Sequence, residues 1–127
     1  MIAVAAIAQS GIAAATLKLN ASASNLANAG DTSPIGTSGY QPTALDDSAA
    51  PNGGGVIAQA VTVKSPALLV YDPTSAAANA RGLADAPEID PISQVSNLLA
   101  AGRAFAFSVK VLKAGDDEEQ TLLDIKT

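Results

Sequence analysis

Residues 17–28, LKLNASASNLAN, decide the fold, because they carry the clearest helical repeat in the chain and then end it. The stretch continues an Ala-rich run, residues 2–16, that contains no proline. Large and small residues alternate along two heptad positions: Ile12, Leu19 and Leu26 at the first, and Ala8, Ala15, Ser22 and Ala29 at the second. Such a seam is typical of a helix that packs closely against another helix. The seam therefore requires a partner from elsewhere in the chain or from other chains.

The end of this first helix is marked by Asn25 and Asn28, after which Gly30 and Pro34 disfavour further helix. The two asparagines have two open roles: their amides cap the helix end, or they hold the loop that follows. The length fits a single domain, residues 1–127. We divide it into an N-terminal helix (1–29), loop and short strands (30–90), and a C-terminal helix (91–127).

The composition gives this domain a weak core. Hydrophobic residues make up 48% of the 127, but many are Ala, and aromatic residues make up only 3%. A buried Ala contributes much less than the about 1.5–3 kcal/mol of a buried Leu or Val. Such a core is marginal on its own, and lateral contacts with other copies of the chain would remedy this.

The sequence lacks most of the residues that catalysis or metal binding would need. There is no His and no Cys, so the commonest general base, metal ligand and thiol nucleophile are missing. The acidic residues at 46–47 and 116–119 lack the alternating ligands of a calcium loop. A net charge of −5 argues against nucleic-acid binding. We therefore predict no enzyme, no cofactor or metal, and no small-molecule substrate.

The apolar start of the chain, residues 1–15, resembles a signal peptide in composition only. The first positive charge, Lys18, follows the apolar run, whereas a signal peptide has its basic region in front. Gln9, Ser10 and Gly11 interrupt the same run as a membrane span. We expect neither a cleaved signal nor a span here.

The middle of the chain predicts a surface loop followed by a small β element. Residues 30–55 are rich in Gly, Pro, Ser, Thr, Asn and Asp, which favour turns. Residues 56–64, VIAQAVTVK, form the best strand candidate, and residues 68–71 form a second. The two strands could pair across residues 65–67, or one could serve an adjacent subunit.

The helical repeat returns from Pro91, with Asp90 as the N-cap. Two heptad positions are occupied by apolar residues or Gly: Val95, Gly102 and Val109 at one, and Leu98, Phe105 and Leu112 at the other. Gly115, followed by four acidic residues, predicts a kink or restart because Gly costs about 1 kcal/mol in a helix interior. The acidic run itself is interpreted as a solvated face.

Two sets of motifs resemble those of bacterial flagellar axial proteins, the rod and hook subunits. The first set is Ser24-Asn25-Leu26-Ala27-Asn28-Ala29, with Gly39-Tyr40 closing the loop behind it. The second set comprises Val70-Tyr71-Asp72-Pro73, Pro87-Glu88-Ile89-Asp90-Pro91 and the stretch NLLAAGRAF at residues 97–105. The resemblance covers about residues 2–40 and 68–127. The short length of the chain and its Tyr-Asp-Pro segment make it resemble a proximal-rod subunit more than the hook or distal-rod proteins, which carry large inserted domains.

The chain departs from the family pattern at several points. Gly82-Leu83-Ala84 stands where the family has Gly-Tyr-Val, and Phe105-Ala106-Phe107 stands where it has Tyr-Gln-Ala. These changes leave the helices intact. They also keep an alternative open, in which a diverged soluble paralogue acts as an adaptor or assembly factor of the flagellar export and rod apparatus.

The resemblance implies a mainly α fold, in which the terminal helices pair antiparallel as a coiled-coil-like rod and the β element lies between them. It further implies a structural subunit that assembles helically into the torque-transmitting tube of the basal body, in the periplasm. The implied partners are other copies, other rod proteins and the flagellar type III export apparatus, with no cleaved signal peptide.

The residues predicted to carry packing and assembly lie on both helices and at the end of the loop. They are Ile7, Ile12, Leu19, Asn25, Leu26, Asn28, Gly39, Tyr40, Leu98, Arg103, Phe105 and Leu112. Leu98, Phe105 and Leu112 are expected to face the first helix. Arg103 is either a surface residue that extends its apolar stem along the helix or a contact to a neighbouring subunit.

Overall fold

A computed structural model describes residues 2–125 of the chain, about half of it helical. The elements, in chain order, are α1 (Ile2–Ala27), β1 (Thr43–Ala49), a short 3-10 turn (Pro51–Gly53), β2 (Val56–Thr62), β3 (Leu68–Tyr71), β4 (Leu83–Ala86) and α2 (Pro91–Ile125). The two helices pack on each other, and two small antiparallel sheets lie between them in sequence.

The helices run antiparallel, with a register that repeats every seven residues. Three facing pairs show this: Asn25 with Gln94, Gly11 with Ser108, and Val4 with Gly115. Moving from Val4 to Gly11 along α1 corresponds to moving from Gly115 back to Ser108 along α2, seven residues in each helix. Two helices stay in contact along one line of side chains when their contacts repeat every seven residues in both, as they do here.

Small side chains, and not the large ones, are the most buried along this seam. Ala8, Ala15 and Ser22 are buried on α1, and Ala101 is 1% exposed on α2. The large residues of the other heptad position, Ile12, Leu19 and Leu26, are only half-buried. Because the interaxial distance depends on the side chains at the contact, the small positions allow the helices to approach closely.

The exposure of Phe105 differs from the expectation of a buried ring. The Phe105 side chain is 37% exposed, whereas Leu98 and Leu112 are half-buried. The close approach at Ala101 leaves little room for a large ring directly between the axes. Phe105 therefore lies at the edge of the seam.

The strand pairing differs from the prediction. β2 pairs with β1, from Thr43↔Thr62 to Ala49↔Val56, and β3 pairs with β4. Of the two alternatives for residues 56–64 and 68–71, the pairing of the two strands with each other is wrong. The interpretation of residues 30–55 as loop throughout is also wrong, since β1 lies within them. Asp46, Asp47 and Ser48 are poor strand formers. Pairing with β2 and packing on α1 override their local preference.

The helix boundaries agree with the sequence at α2 and differ slightly at α1. Asp90 caps α2 as predicted, because its carboxylate accepts from the backbone N–H groups of Ile92 (3.2 Å) and Ser93 (3.1 Å). The first helix ends at Ala27, two residues before the predicted end. The predicted kink at Gly115 is wrong, since α2 is continuous to Ile125. Lys113 and Ala114 before the glycine, and Glu118 and Glu119 beyond the two aspartates, are good helix formers and offset its cost.

Candidate functional site: a junction at Asn25

The Asn25 side chain joins three elements that are far apart in the sequence. It lies in the last turns of α1 and is 3% exposed. Its Nδ2 donates to the backbone carbonyl of Thr43 at the start of β1 (2.8 Å) and to Oε1 of Gln94 in α2 (3.2 Å). Its Oδ1 accepts from the Thr43 backbone N–H (2.8 Å) and from the Tyr40 hydroxyl (3.0 Å). We call Ser24, Asn25, Tyr40, Thr43 and Gln94 the Asn25 junction.

The chemistry of the amide explains why an asparagine fits this position. An Asn side chain offers two N–H donors and a carbonyl oxygen with two lone pairs. All of them are used in the Asn25 junction. Toward Thr43 the amide behaves like the backbone of a neighbouring strand, since it donates to the carbonyl and accepts from the N–H of the same residue. An aspartate at this position would lose both donated bonds.

Tyr40 closes the other side of the Asn25 junction. Besides its bond to Asn25, its hydroxyl lies 2.9 Å from the Ser24 Oγ. Gly39, just before it, passes close to Ser33, because a Cβ on Gly39 would lie 2.7 Å from the Ser33 Oγ. A side chain at position 39 would push the loop away from Ser33. The Gly-Tyr pair therefore brings the loop back onto the end of α1.

The two open roles of the asparagines are divided between them. Asn25 holds the chain that follows the loop, through Thr43 and Tyr40. Asn28 instead donates from Nδ2 to the backbone carbonyl of Ser24 (2.7 Å), within the end of its own helix. Each alternative is thus correct for one of the two residues.

A second attachment, near the tip of the β1–β2 hairpin, was not identified from the sequence. The Ser10 hydroxyl donates to the Ile7 carbonyl (2.7 Å) and accepts from the Val56 backbone N–H (3.1 Å). Gly55 has a φ of +99°, and a Cβ there would lie 2.0 Å from the Ser10 Oγ, so only glycine fits. No local pattern relates Ser10 to Gly55. Their spacing becomes meaningful only once the hairpin lies along α1.

Much apolar surface stays exposed after the helices have packed. On α2 the exposed large residues include Ile92, Leu99, Phe107, Leu122, Leu123 and Ile125, and on α1 they include Val4 and Ile7. By length and composition α2 could also cross a membrane, with a mean hydropathy of 1.3 over its most apolar window, of which 6% is buried. A helix that packs on other protein chains satisfies the same test. Surface of this extent marks an interaction site.

The remaining predicted assembly residues lie on or beside the helix seam. Ile7 is 42% exposed, and its backbone is close to Gly55. Arg103 is exposed on α2, and its guanidinium has no hydrogen bond or ion pair within residues 2–125. This placement fits the surface interpretation of Arg103 and equally leaves the group available to a neighbouring chain.

The titratable groups show structural roles. A hydrogen bond from the Ser93 side chain, followed by the bond from the Ile92 backbone, holds the pKa of Asp90 below its usual value. The Thr74 side chain and backbone lower the pKa of Asp72 in the same way. Within the described chain, no three His, Cys, Asp or Glu residues are grouped as a metal site.

The fold and the Asn25 junction together define a structural protein, in which paired terminal helices are held in register and expose apolar faces. No family model matches the chain. It is 32% identical over 111 residues to the flagellar basal-body rod protein FlgC of Salmonella typhimurium, covering 84% of this chain and 83% of that protein. The FlgC proteins of Buchnera aphidicola (36% over 114 residues, 84% of each chain) and Yersinia enterocolitica (35% over 111 residues, 84% and 83%) are similar too.

The chain therefore belongs to the FlgC family of flagellar basal-body rod proteins. This confirms the resemblance read from the Asn-rich end of α1 and from the motifs around α2. It also makes the function structural, that of a rod subunit of the flagellar basal body.

Proposed function

We propose that the α1–α2 pair forms a coiled-coil-like unit in the wall of the proximal rod, and that copies of it assemble helically into the tube that transmits torque. The observation that carries this proposal is the apolar surface left on both helices after they have covered each other. The matched heptad register of α1 and α2 supports the coiled-coil description.

The distribution of exposed residues favours neighbours on more than one side. Ile92 and Leu99 are seven residues apart and share a face of α2, whereas Val109 and Val111, both exposed and two residues apart, lie on nearly opposite sides of the same helix. A single partner helix covers only one stripe of a helix. A subunit surrounded by other subunits in a tube wall would bury several stripes at once.

Torque transmission requires that each subunit resist bending between its helices and its β hairpin. The Asn25 junction attaches the base of the β1–β2 hairpin to α1 and α2. The hydrogen bond between Ser10 and Val56 attaches the other end of the hairpin, near its turn, to α1. Two attachments along one hairpin prevent it from swinging about either one. The subunit would therefore respond to a twisting load as a single piece.

The partners follow from family membership. We infer that the chain assembles with other copies of itself and with other rod proteins in the periplasm, after export by the flagellar type III apparatus without a cleaved signal peptide. The names of the FlgC relatives support the rod as the destination. The export route rests on the resemblance of the motifs alone.

The experiment introduces a charge on the exposed apolar surface. Phe107→Asp and Ile7→Asp are expressed in a strain that lacks the gene, with Ser38→Asp, in an exposed loop, as the matched control. All three purified proteins should melt like the parent, because the replaced side chains are at least partly exposed. The two helix variants should abolish motility and leave basal bodies without a complete rod, because an unpaired charge in a dry interface is costly.

Normal rods in electron micrographs of the Phe107→Asp and Ile7→Asp strains would contradict the proposal. A parent protein that stays monodisperse, with both variants fully motile, would instead favour the adaptor alternative.

A further inference from the structure

The tip of the β1–β2 hairpin carries an Asn-Gly pair in an unusual backbone conformation. Asn52 has φ 58° and ψ 29°, and Gly53 has φ +71°. The Gly54 N–H donates to the Pro51 carbonyl (3.2 Å) across these two residues. This is the pattern of a type I′ turn, in which Asn-Gly is the preferred pair. We call residues 51–54 the hairpin tip.

Nothing in the described chain shields the reactive atoms of the hairpin tip. Asn52 and Gly53 are both exposed, and the Asn52 side-chain amide makes no hydrogen bond to residues 2–125. Apart from residues 52–54 themselves, no atom of the described chain lies within 4 Å of the place where a Cβ on Gly53 would be. The backbone nitrogen that follows Asn52 is therefore free of steric cover.

We propose that Asn52 is a site of spontaneous deamidation through a cyclic imide. The Gly53 backbone nitrogen gives its proton to a base and forms a bond to Asn52 Cγ. The Cγ–Nδ2 bond breaks, and the nitrogen leaves as ammonia after taking up a proton from solvent. Water then adds to one of the two imide carbonyls and opens the ring, giving aspartate or isoaspartate.

The other asparagines are protected by their surroundings. Asn20, Asn25 and Asn97 lie inside helices, whose backbone hydrogen bonds hold the following nitrogen away from the side chain. Asn28 donates to Ser24, and the Asn79 Oδ1 accepts from the backbone N–H groups of Arg81 (2.8 Å) and Leu83 (3.1 Å). Each is followed by Ala or Leu, whose side chain hinders attack, whereas Asn52 is followed by Gly.

Ring closure requires rotation away from the ψ of 29° seen at Asn52, and the hairpin tip permits it. All four residues of the tip are exposed, so its opening uncovers no core. Segments with few buried contacts open at low free energy. The reaction should accelerate from neutral to mildly alkaline pH, because it consumes the amide proton.

The test uses the purified full chain, incubated in water enriched in oxygen-18 and then digested with a protease that cleaves before aspartate. The existing Asp47 and Asp72 release residues 47–71, in which Asn52 is the only asparagine. The isoaspartate product keeps the peptide 47–71 intact, with loss of the amide and gain of one heavy oxygen, whereas the aspartate product is cut again before residue 52. Peptide mass spectrometry follows both products. Labelling with an isoaspartyl methyltransferase detects the isoaspartate product independently.

Residues 47–71 should lose their amide before any other peptide, and the rate should rise with pH. The Asn52→Asp protein is cut before residue 52 and serves as the standard for the aspartate product. It should gain methyl labelling more slowly than the parent, because an Asp-Gly pair closes to the same imide by losing water, and a carboxylate is the poorer electrophile. Amide loss that appears first in the peptides containing Asn28, Asn79 or Asn97, or at the same rate in all of them, would overturn the proposal. So would an unlabelled peptide 47–71 after the others have reacted.

Discussion

Asn25 and Thr43 exchange two hydrogen bonds of equal length, 2.8 Å, one from the side-chain amide to the carbonyl and one from the backbone N–H to the amide oxygen. A side chain at the end of a helix thus takes the place of a neighbouring strand for the first residue of β1. The Asn25 junction therefore connects the end of α1 to the start of β1 through side-chain hydrogen bonds.

Replacing Asn25 by Ala should destabilise the chain strongly. Both backbone polar groups of Thr43, the Gln94 amide oxygen and the Tyr40 hydroxyl lose a partner. These groups are part-buried, and a fully buried group left unsatisfied costs about 1–3 kcal/mol. We expect the free energy of unfolding to fall by about 2–4 kcal/mol in denaturant titration. Asn28→Ala is the matched control and should cost no more than about 1 kcal/mol, since Asn28 bonds only within its own helix end. Equal losses in the two variants would refute the special role of Asn25.

Removing the Tyr40 hydroxyl should produce a smaller effect. Tyr40→Phe deletes the bonds to Asn25 (3.0 Å) and Ser24 (2.9 Å), while Asn25 Oδ1 keeps its bond from Thr43. We expect a loss of about 0.5–1.5 kcal/mol in thermal or chemical unfolding. Tyr71→Phe provides the control. Because the Tyr71 side chain is 73% exposed, this substitution should leave the stability of the chain unchanged.

Enlarging the buried small residue of α2 should separate the helices. Ala101 is 1% exposed, so the extra atoms of Ala101→Leu must be placed between the helices and should cost about 1–3 kcal/mol. Ala106→Leu on the exposed surface of the same helix should change stability by less than about 0.5 kcal/mol. Circular dichroism melts compare the two proteins directly. If Ala101→Leu melts like Ala106→Leu, close packing at this seam is refuted.

The capping carboxylate of Asp90 makes stability depend on pH in the acidic range. Its pKa in the folded chain is lowered, chiefly by the Ser93 hydroxyl, relative to an ordinary value of 3.8. A lowered folded pKa means a contribution that is complete above 3.8 and is lost as the pH falls through the folded pKa. Asp90→Asn keeps a capping acceptor without the titration, so its stability should vary less with pH below 3.8. Ser93→Ala should move the pKa of Asp90 upward in an NMR titration, and an unmoved pKa would contradict the assigned cause.

The two helices were predictable because their signals are local. The heptads of α1 and α2, and the Asp90-Pro91 start, lie within a few residues of the structure that they specify. The motif at 24–29 also contains Asn25, the residue at the centre of the junction. Its partners Thr43 and Gln94, however, lie far along the chain, and no spacing rule connects them.

The β1–β2 pairing and the composition of the seam could not be derived in the same way. β1 contains two Asp and a Ser, so its strand conformation comes from β2 and α1 and not from its own residues. Which heptad position faces the partner depends on how closely the helices approach. Periodicity identifies both heptad positions but does not show which of them is more buried. Here the position occupied by small residues is the more buried one.

The position of the junction in the chain also sets the order in which the fold can form. Asn25, Tyr40 and Thr43, together with the Ser10–Val56 attachment, all lie within the first 56 residues. A chain that emerges N-terminus first can therefore complete α1 and its hairpin before α2 appears. Only the bond to Gln94 waits for the second helix. Contacts of short sequence separation form fastest, so α2 would dock onto a surface that is already built.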